Sequence, residues 1–137
     1  MTELSTCEFS HYYYVDYLMK MDDESINTLN LEVDRGVDFD TLAYLLESFP
    51  NLKSLVLNQN YSTSTIDEFY EFIRKTKLTQ FILIDSQSEF LKFLKIKDLI
   101  THLPENANYK IKYGEEDIFL KYKQNNKLLE LIGDFNI

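Results

Sequence analysis

Apolar positions along this chain follow a nine-residue pattern that recurs every 26 residues. Ile26, Leu29 and Leu31 hold its first, fourth and sixth places, followed by Leu52, Leu55 and Leu57, then Leu78, Phe81 and Leu83. A short polar residue ends each copy: Asp34, Asn60 and Ser86. Places four and six point the same way on an extended chain, so the pattern predicts three strands with one apolar face. A fixed period in this range signals stacked repeats.

Between these strands the period becomes helical. Phe39, Leu42, Leu46 and Phe49 form one stripe, ended by Pro50. Thr65 and Glu68 have the spacing of a capping box, ahead of a stripe of Ile66, Phe69, Tyr70 and Ile73. Arg74 and Lys75 suit the last turn of that helix, where cations are favoured. Phe90, Leu91, Leu94, Leu99, Ile100 and Leu103 predict a third helix, broken near Ile96 and stopped by Pro104. Each unit reads strand, turn, helix, return loop.

Both flanks read as caps. Residues 11–21 are rich in tyrosine and predict a helix over the first unit, with a strand over residues 12–15 as the alternative. Tyr109, Ile111 and Tyr113 alternate with Lys110 and Lys112, which predicts a fourth strand. Gly114 then turns the chain toward Ile118, Leu120 and Tyr122, a β-hairpin closing the sheet, and residues 127–132 suggest a short terminal helix. The expected organisation is one domain over 1–137: an N-terminal cap at 1–25, three strand-helix units at 26–103, and C-terminal strands and cap at 104–137.

The middle copy, with Leu52, Leu55, Leu57 and Asn60, satisfies the consensus L-x-x-L-x-L-x-x-N. On these residues the three strands resemble the leucine-rich-repeat family over residues 26–103. The resemblance implies an α/β fold of strand-helix units, with a parallel sheet on one face and helices on the other. It departs from the family at Gly36, Ser62 and Ser88, where an apolar residue is frequent, and in the mixed Asp34, Asn60, Ser86 series. The alternative is a small two-layer α/β domain with parallel strands and helices on one face.

The resemblance also implies a concave strand face with three rows: Thr28, Ser54, Gln80; Asn30, Val56, Ile82; and Glu32, Asn58, Ile84, with Lys110 and Lys112 extending them. Apolar Val56, Ile82 and Ile84 on a wet face mark a candidate protein contact. The expected partner-binding set is Asn30, Glu32, Val56, Asn58, Ile82, Ile84 and Asp85. Strands buried on both faces would explain the same apolar residues.

Composition narrows the function. A net charge of −9 repels phosphate backbones and anionic membranes and attracts basic proteins, so neither nucleic acid nor membrane is an expected partner. Cys7 is the only cysteine, which excludes an intramolecular disulfide and suits a reducing compartment. No signal peptide and no apolar run of ~18 residues is evident, so a soluble cytoplasmic protein is expected. Cys7, His11 and His102 fit no zinc spacing, and three glycines cannot build a phosphate loop or dinucleotide fingerprint. The acidic clusters at residues 22–24 and 115–117 fall at predicted turns, where solvated carboxylates are usual. No catalytic group, metal, cofactor or small-molecule substrate is therefore expected. The expectation is a non-enzymatic protein-binding module, in its most concrete form a small acidic immunity- or antitoxin-type inhibitor that occludes a basic toxin. The alternative is an adaptor or recognition subunit for a non-toxin protein.

Overall fold

The computed structural model describes residues 3–5, 26–33, 36–133 and 135. Among them, seven strands form one sheet: β1 (Glu3–Ser5), β2 (Thr28–Val33), β3 (Ser54–Gln59), β4 (Gln80–Asp85), β5 (Asn108–Tyr113), β6 (Phe119–Gln124) and β7 (Lys127–Gly133). Their spatial order is β1-β2-β3-β4-β5-β7-β6. All neighbours run parallel except β6 and β7. Helices α1 (Phe39–Glu47), α2 (Ile66–Lys75) and α3 (Ile96–His102) follow β2, β3 and β4, and a 3-10 segment, Glu89–Phe93, precedes α3.

The 26-residue period sets the register. Leu29 pairs with Leu55 and Leu55 with Phe81, while Leu31 pairs with Leu57 and Leu57 with Leu83. Tyr109 and Ile111 continue these rows on β5, and Leu129 and Leu131 on β7. Every one of these side chains is buried. A fully buried aliphatic side chain is worth roughly 1.5–3 kcal/mol, so these rows account for much of the fold's stability. Against them pack Phe39, Leu42 and Leu45 of α1, Phe69, Phe72 and Ile73 of α2, and Leu99 of α3. Phe39 contacts Phe69, Phe72 and Phe90 with ring centroids 4.9, 5.2 and 5.4 Å away. One aromatic cluster thus ties the three units together.

Thr65 caps α2 as expected, accepting from the Glu68 amide at 3.2 Å while its hydroxyl donates to the Glu68 carboxylate at 3.3 Å. The third helical region breaks at Leu94 and Lys95, next to the expected position. The N-terminal helix expected at residues 11–21 lies outside the described residues.

The C-terminal part differs from expectation in two ways. Residues 127–132 belong to a strand, not a helix, and the hairpin joins β6 to β7 instead of β5 to β6. Strand β7 inserts between β5 and β6 and runs parallel to β5. A two-residue connection, Asn125 and Asn126, makes the hairpin, with Asn125 at φ 55°. Asparagine enters this left-handed region more readily than most residues. Leu129 and Leu131 then find the core by strand alternation, and Gly133 admits the Tyr113 carbonyl, which would lie 2.0 Å from a Cβ at that position.

Candidate functional site

The helix side of the sheet is filled by core, and among the described residues no helix covers the opposite face. The pairing registers lay out its rows. The first carries Thr28, Ser54, Gln80, Asn108, Leu128 and Lys123 across β2 to β6. The second carries Asn30, Val56, Ile82, Lys110, Glu130 and Lys121. The third carries Glu32, Asn58, Ile84, Lys112, Ile132 and Phe119. Strand alternation puts all of them on one surface.

The face is graded along the sheet. Strand β2 contributes polar groups. The centre is apolar, with Val56, Ile82 and Ile84 half-buried by their neighbours. The far side is basic: Lys110, Lys112, Lys121 and Lys123 stand against Glu130, which lies 3.8 Å from Lys110. Phe119, 53% exposed, ends the third row. From β2 to β6 the face holds four lysines and two glutamates, although the chain as a whole is at −9. A negative net charge therefore hides a basic local field, which composition alone does not reveal.

Six of the seven residues expected to bind a partner share this face: Asn30, Glu32, Val56, Asn58, Ile82 and Ile84. Asp85 does not. Its side chain points to the helix side and is 1% exposed. It accepts from Gln59 Nε2 at 2.9 Å, the Gln87 amide at 3.0 Å, the Ser88 amide at 2.8 Å and the Ser88 hydroxyl. The physical reason is parity, since Asp85 follows Phe81 and Leu83 at even spacing.

Asp85 instead ends a buried polar ladder at the carboxyl ends of the parallel strands. Gln59 accepts from the Val37 amide at 3.1 Å. Ser62 donates to the Val37 carbonyl at 3.1 Å, while its own amide donates to Ser88 Oγ at 2.6 Å. Ser64 Oγ accepts the Phe39 amide at 2.9 Å, so a residue of one unit caps the helix of the unit before it. Gly36 completes the joint, because a Cβ there would sit 1.4 Å from the Tyr61 carbonyl oxygen. The departures at Gly36, Ser62 and Ser88 are thus the residues that bond the units. The signal was in the sequence: Gln59 and Asp85, like Ser62 and Ser88, are 26 residues apart.

A groove of about 470 Å³ beside this ladder is lined by Tyr61, Ser62, Thr63, Ser64, Gln87, Ser88 and Glu89. Ser62, Ser64 and Ser88 hold the loops together, so their hydroxyls are already engaged. His102 stacks on Tyr70 at 5.1 Å, with Nδ1 2.6 Å from the Asp98 carbonyl. That geometry fixes the ring as a packing element. Cys7 and His11 lie outside the described residues. Among the described residues, no helix is long and apolar enough to cross a membrane. No protein-family model, curated protein or solved structure matches the chain.

Proposed function

We propose that this chain is a non-catalytic protein-binding module that works through the open face of its sheet. The observation that carries the reading is the central apolar cluster. Val56 and Ile82 are paired neighbours, and Ile84 lies one row away, on a face that no described helix covers. An apolar centre with a polar and charged rim is the anatomy of a protein contact. The leucine-rich-repeat reading supports the proposal: the three units pair residue for residue at their 26-residue spacing, and helices line the other side.

The partner carries its own version of the question. An immunity- or antitoxin-type inhibitor of a basic toxin draws support from the net charge and small size. The lysines of β5 and β6 oppose a basic partner on their half of the face, so a toxin would have to seat on the β2 and β3 half, around Asn30, Glu32 and Asn58. An adaptor for a non-toxin protein meets no such restriction and is the better-supported version.

The test is a Val56→Asp/Ile82→Asp double variant, compared with the parent chain in affinity capture followed by mass spectrometry. Central contact residues commonly cost more than ~1 kcal/mol when truncated, so buried carboxylates there should weaken capture at least about tenfold. Circular dichroism should keep the parent's spectrum, and the urea midpoint should fall only modestly, because the two new carboxylates face each other across β3 and β4. A variant that unfolds would show that both residues are core, and unchanged capture would end the proposal.

A further inference from the structure

The geometry points to a more specific contact, which rests on the protein-binding reading: strand β6 takes up an extended acidic segment of a partner protein as an added antiparallel strand. Among the described residues β6 is the last strand of the sheet, paired on one side only, by β7. Its six residues form regular antiparallel pairs from Phe119 to Gln124. A free regular edge of this kind is a template for strand addition, in which main-chain hydrogen bonds supply affinity and alternate side chains supply selectivity.

The chemistry of the added strand follows from the rows it would extend. In the second row the charges alternate, Lys110, Glu130, Lys121, and the next place calls for a carboxylate. In the first row Lys123 ends the sheet beside Leu128, so the next place again favours a carboxylate. In the third row Ile132 and exposed Phe119 end the sheet, and an apolar side chain fits beside them. On the helix side Leu120 and Tyr122 pack against the core and would be extended by apolar residues. Directly opposed side chains of opposite charge, and aromatic with β-branched pairs, favour pairing, while like charges oppose it. The fitting segment, read antiparallel to β6, is acidic-apolar-acidic-apolar-apolar.

The same rows disfavour a second copy of this chain. In the two face-matched registers that pair the most of β6 with itself, antiparallel pairing sets Lys121 against Lys121, or Lys121 against Lys123 in both directions. The lysines therefore guard the edge against self-association and leave it open to an acidic strand.

The probe is a fluorescein-labelled synthetic peptide with the core Glu-Val-Glu-Val-Phe. Controls are the same peptide with Lys for Glu and a scrambled peptide of equal composition. Amide chemical shifts of β6 in the labelled full chain should move on titration with the Glu peptide. Polarisation should show affinity that falls with salt and falls at least about tenfold in a Lys121→Glu/Lys123→Glu variant. The Lys peptide should bind that variant better than the parent. Equal binding of the scrambled peptide would reduce the effect to bulk charge and overturn strand addition. No shift at β6 at millimolar Glu peptide would also overturn it. Capture of a native partner that is lost in Val56→Asp/Ile82→Asp but kept in Lys121→Glu/Lys123→Glu would leave the open-face reading standing and end the edge proposal.

Discussion

Among the described residues, buried Asp85 accepts more of the hydrogen bonds that join loop to sheet than any other side chain. It gathers Gln59 Nε2, two backbone amides and the Ser88 hydroxyl around one carboxylate. An unsatisfied buried donor costs about 1–3 kcal/mol, so Asp85→Ala should destabilise the chain by about 3 kcal/mol or more, read as a lower urea midpoint. A change below about 1 kcal/mol would mean that the ladder is dispensable. Tyr109 makes a second residue-scale prediction. Its hydroxyl donates to the Leu78 carbonyl at 2.9 Å, and burial raises the phenol's pKa well above its ordinary value of 10.0. A group harder to ionise in the folded state contributes stability that is whole below the unfolded pKa and is lost as pH rises past it. Stability should therefore decline above about pH 10, and Tyr109→Phe should make that decline shallower in alkaline urea melts. At neutral pH the same variant should lose about 1 kcal/mol with its hydrogen bond.

Elements show what the sequence made legible and where it misled. Strands β2 to β5 were readable because places four and six carry large apolar residues, and α2 because Thr65 and Glu68 announce its start. Phe72 is buried in α2 although it lies off the stripe of Ile66, Phe69, Tyr70 and Ile73, because the helix meets the sheet through Phe69, Phe72 and Ile73 and leaves Tyr70 half-buried at its margin. Strand β7 read as a helix because Leu128, Leu131 and Ile132 stand at i, i+3 and i+4; both faces of the strand carry apolar residues, one entering the core and the other meeting Phe119 and Lys123, so strand alternation is masked. The polar ladder stays hidden because the consensus is silent on place eight, where Gln59 and Asp85 stand, and makes place eleven, Ser62 and Ser88, look like mere departures. Six of the seven expected contact residues came out on one face because parity governs them all, and the same rule removes Asp85. The loops give an element-scale test. Gly36→Ala pushes a methyl group into the Tyr61 carbonyl, with only backbone there to yield. Overpacking costs about 1–3 kcal/mol, and this contact should reach the upper end. Thr65→Ala, which only removes a helix cap, should cost about 1 kcal/mol. Thermal melts that rank the two in the opposite order would show that the loop joint is soft.

At the scale of the molecule, the C-terminal hairpin is part of the core and not a detachable cover. Chain order places β6 before β7, yet β7 takes the inner position beside β5 and sends Leu129 and Leu131, both 0% exposed, into the same cluster as Tyr109 and Ile111. The sheet cannot close over β5 until the last strand arrives. A chain ending at Gly114 would leave β5 as a bare edge above an uncovered apolar row. That truncated chain should lose the cooperative urea transition of the parent and aggregate on gel filtration. Leu131→Ala offers the graded version. It keeps both strands and empties one core place, so it should elute from gel filtration as the parent does while losing about 2–5 kcal/mol. A truncated chain that stays free of aggregate with the parent's full transition would mean that the three strand-helix units hold their own core, and that the hairpin serves only to present the basic half of the open face.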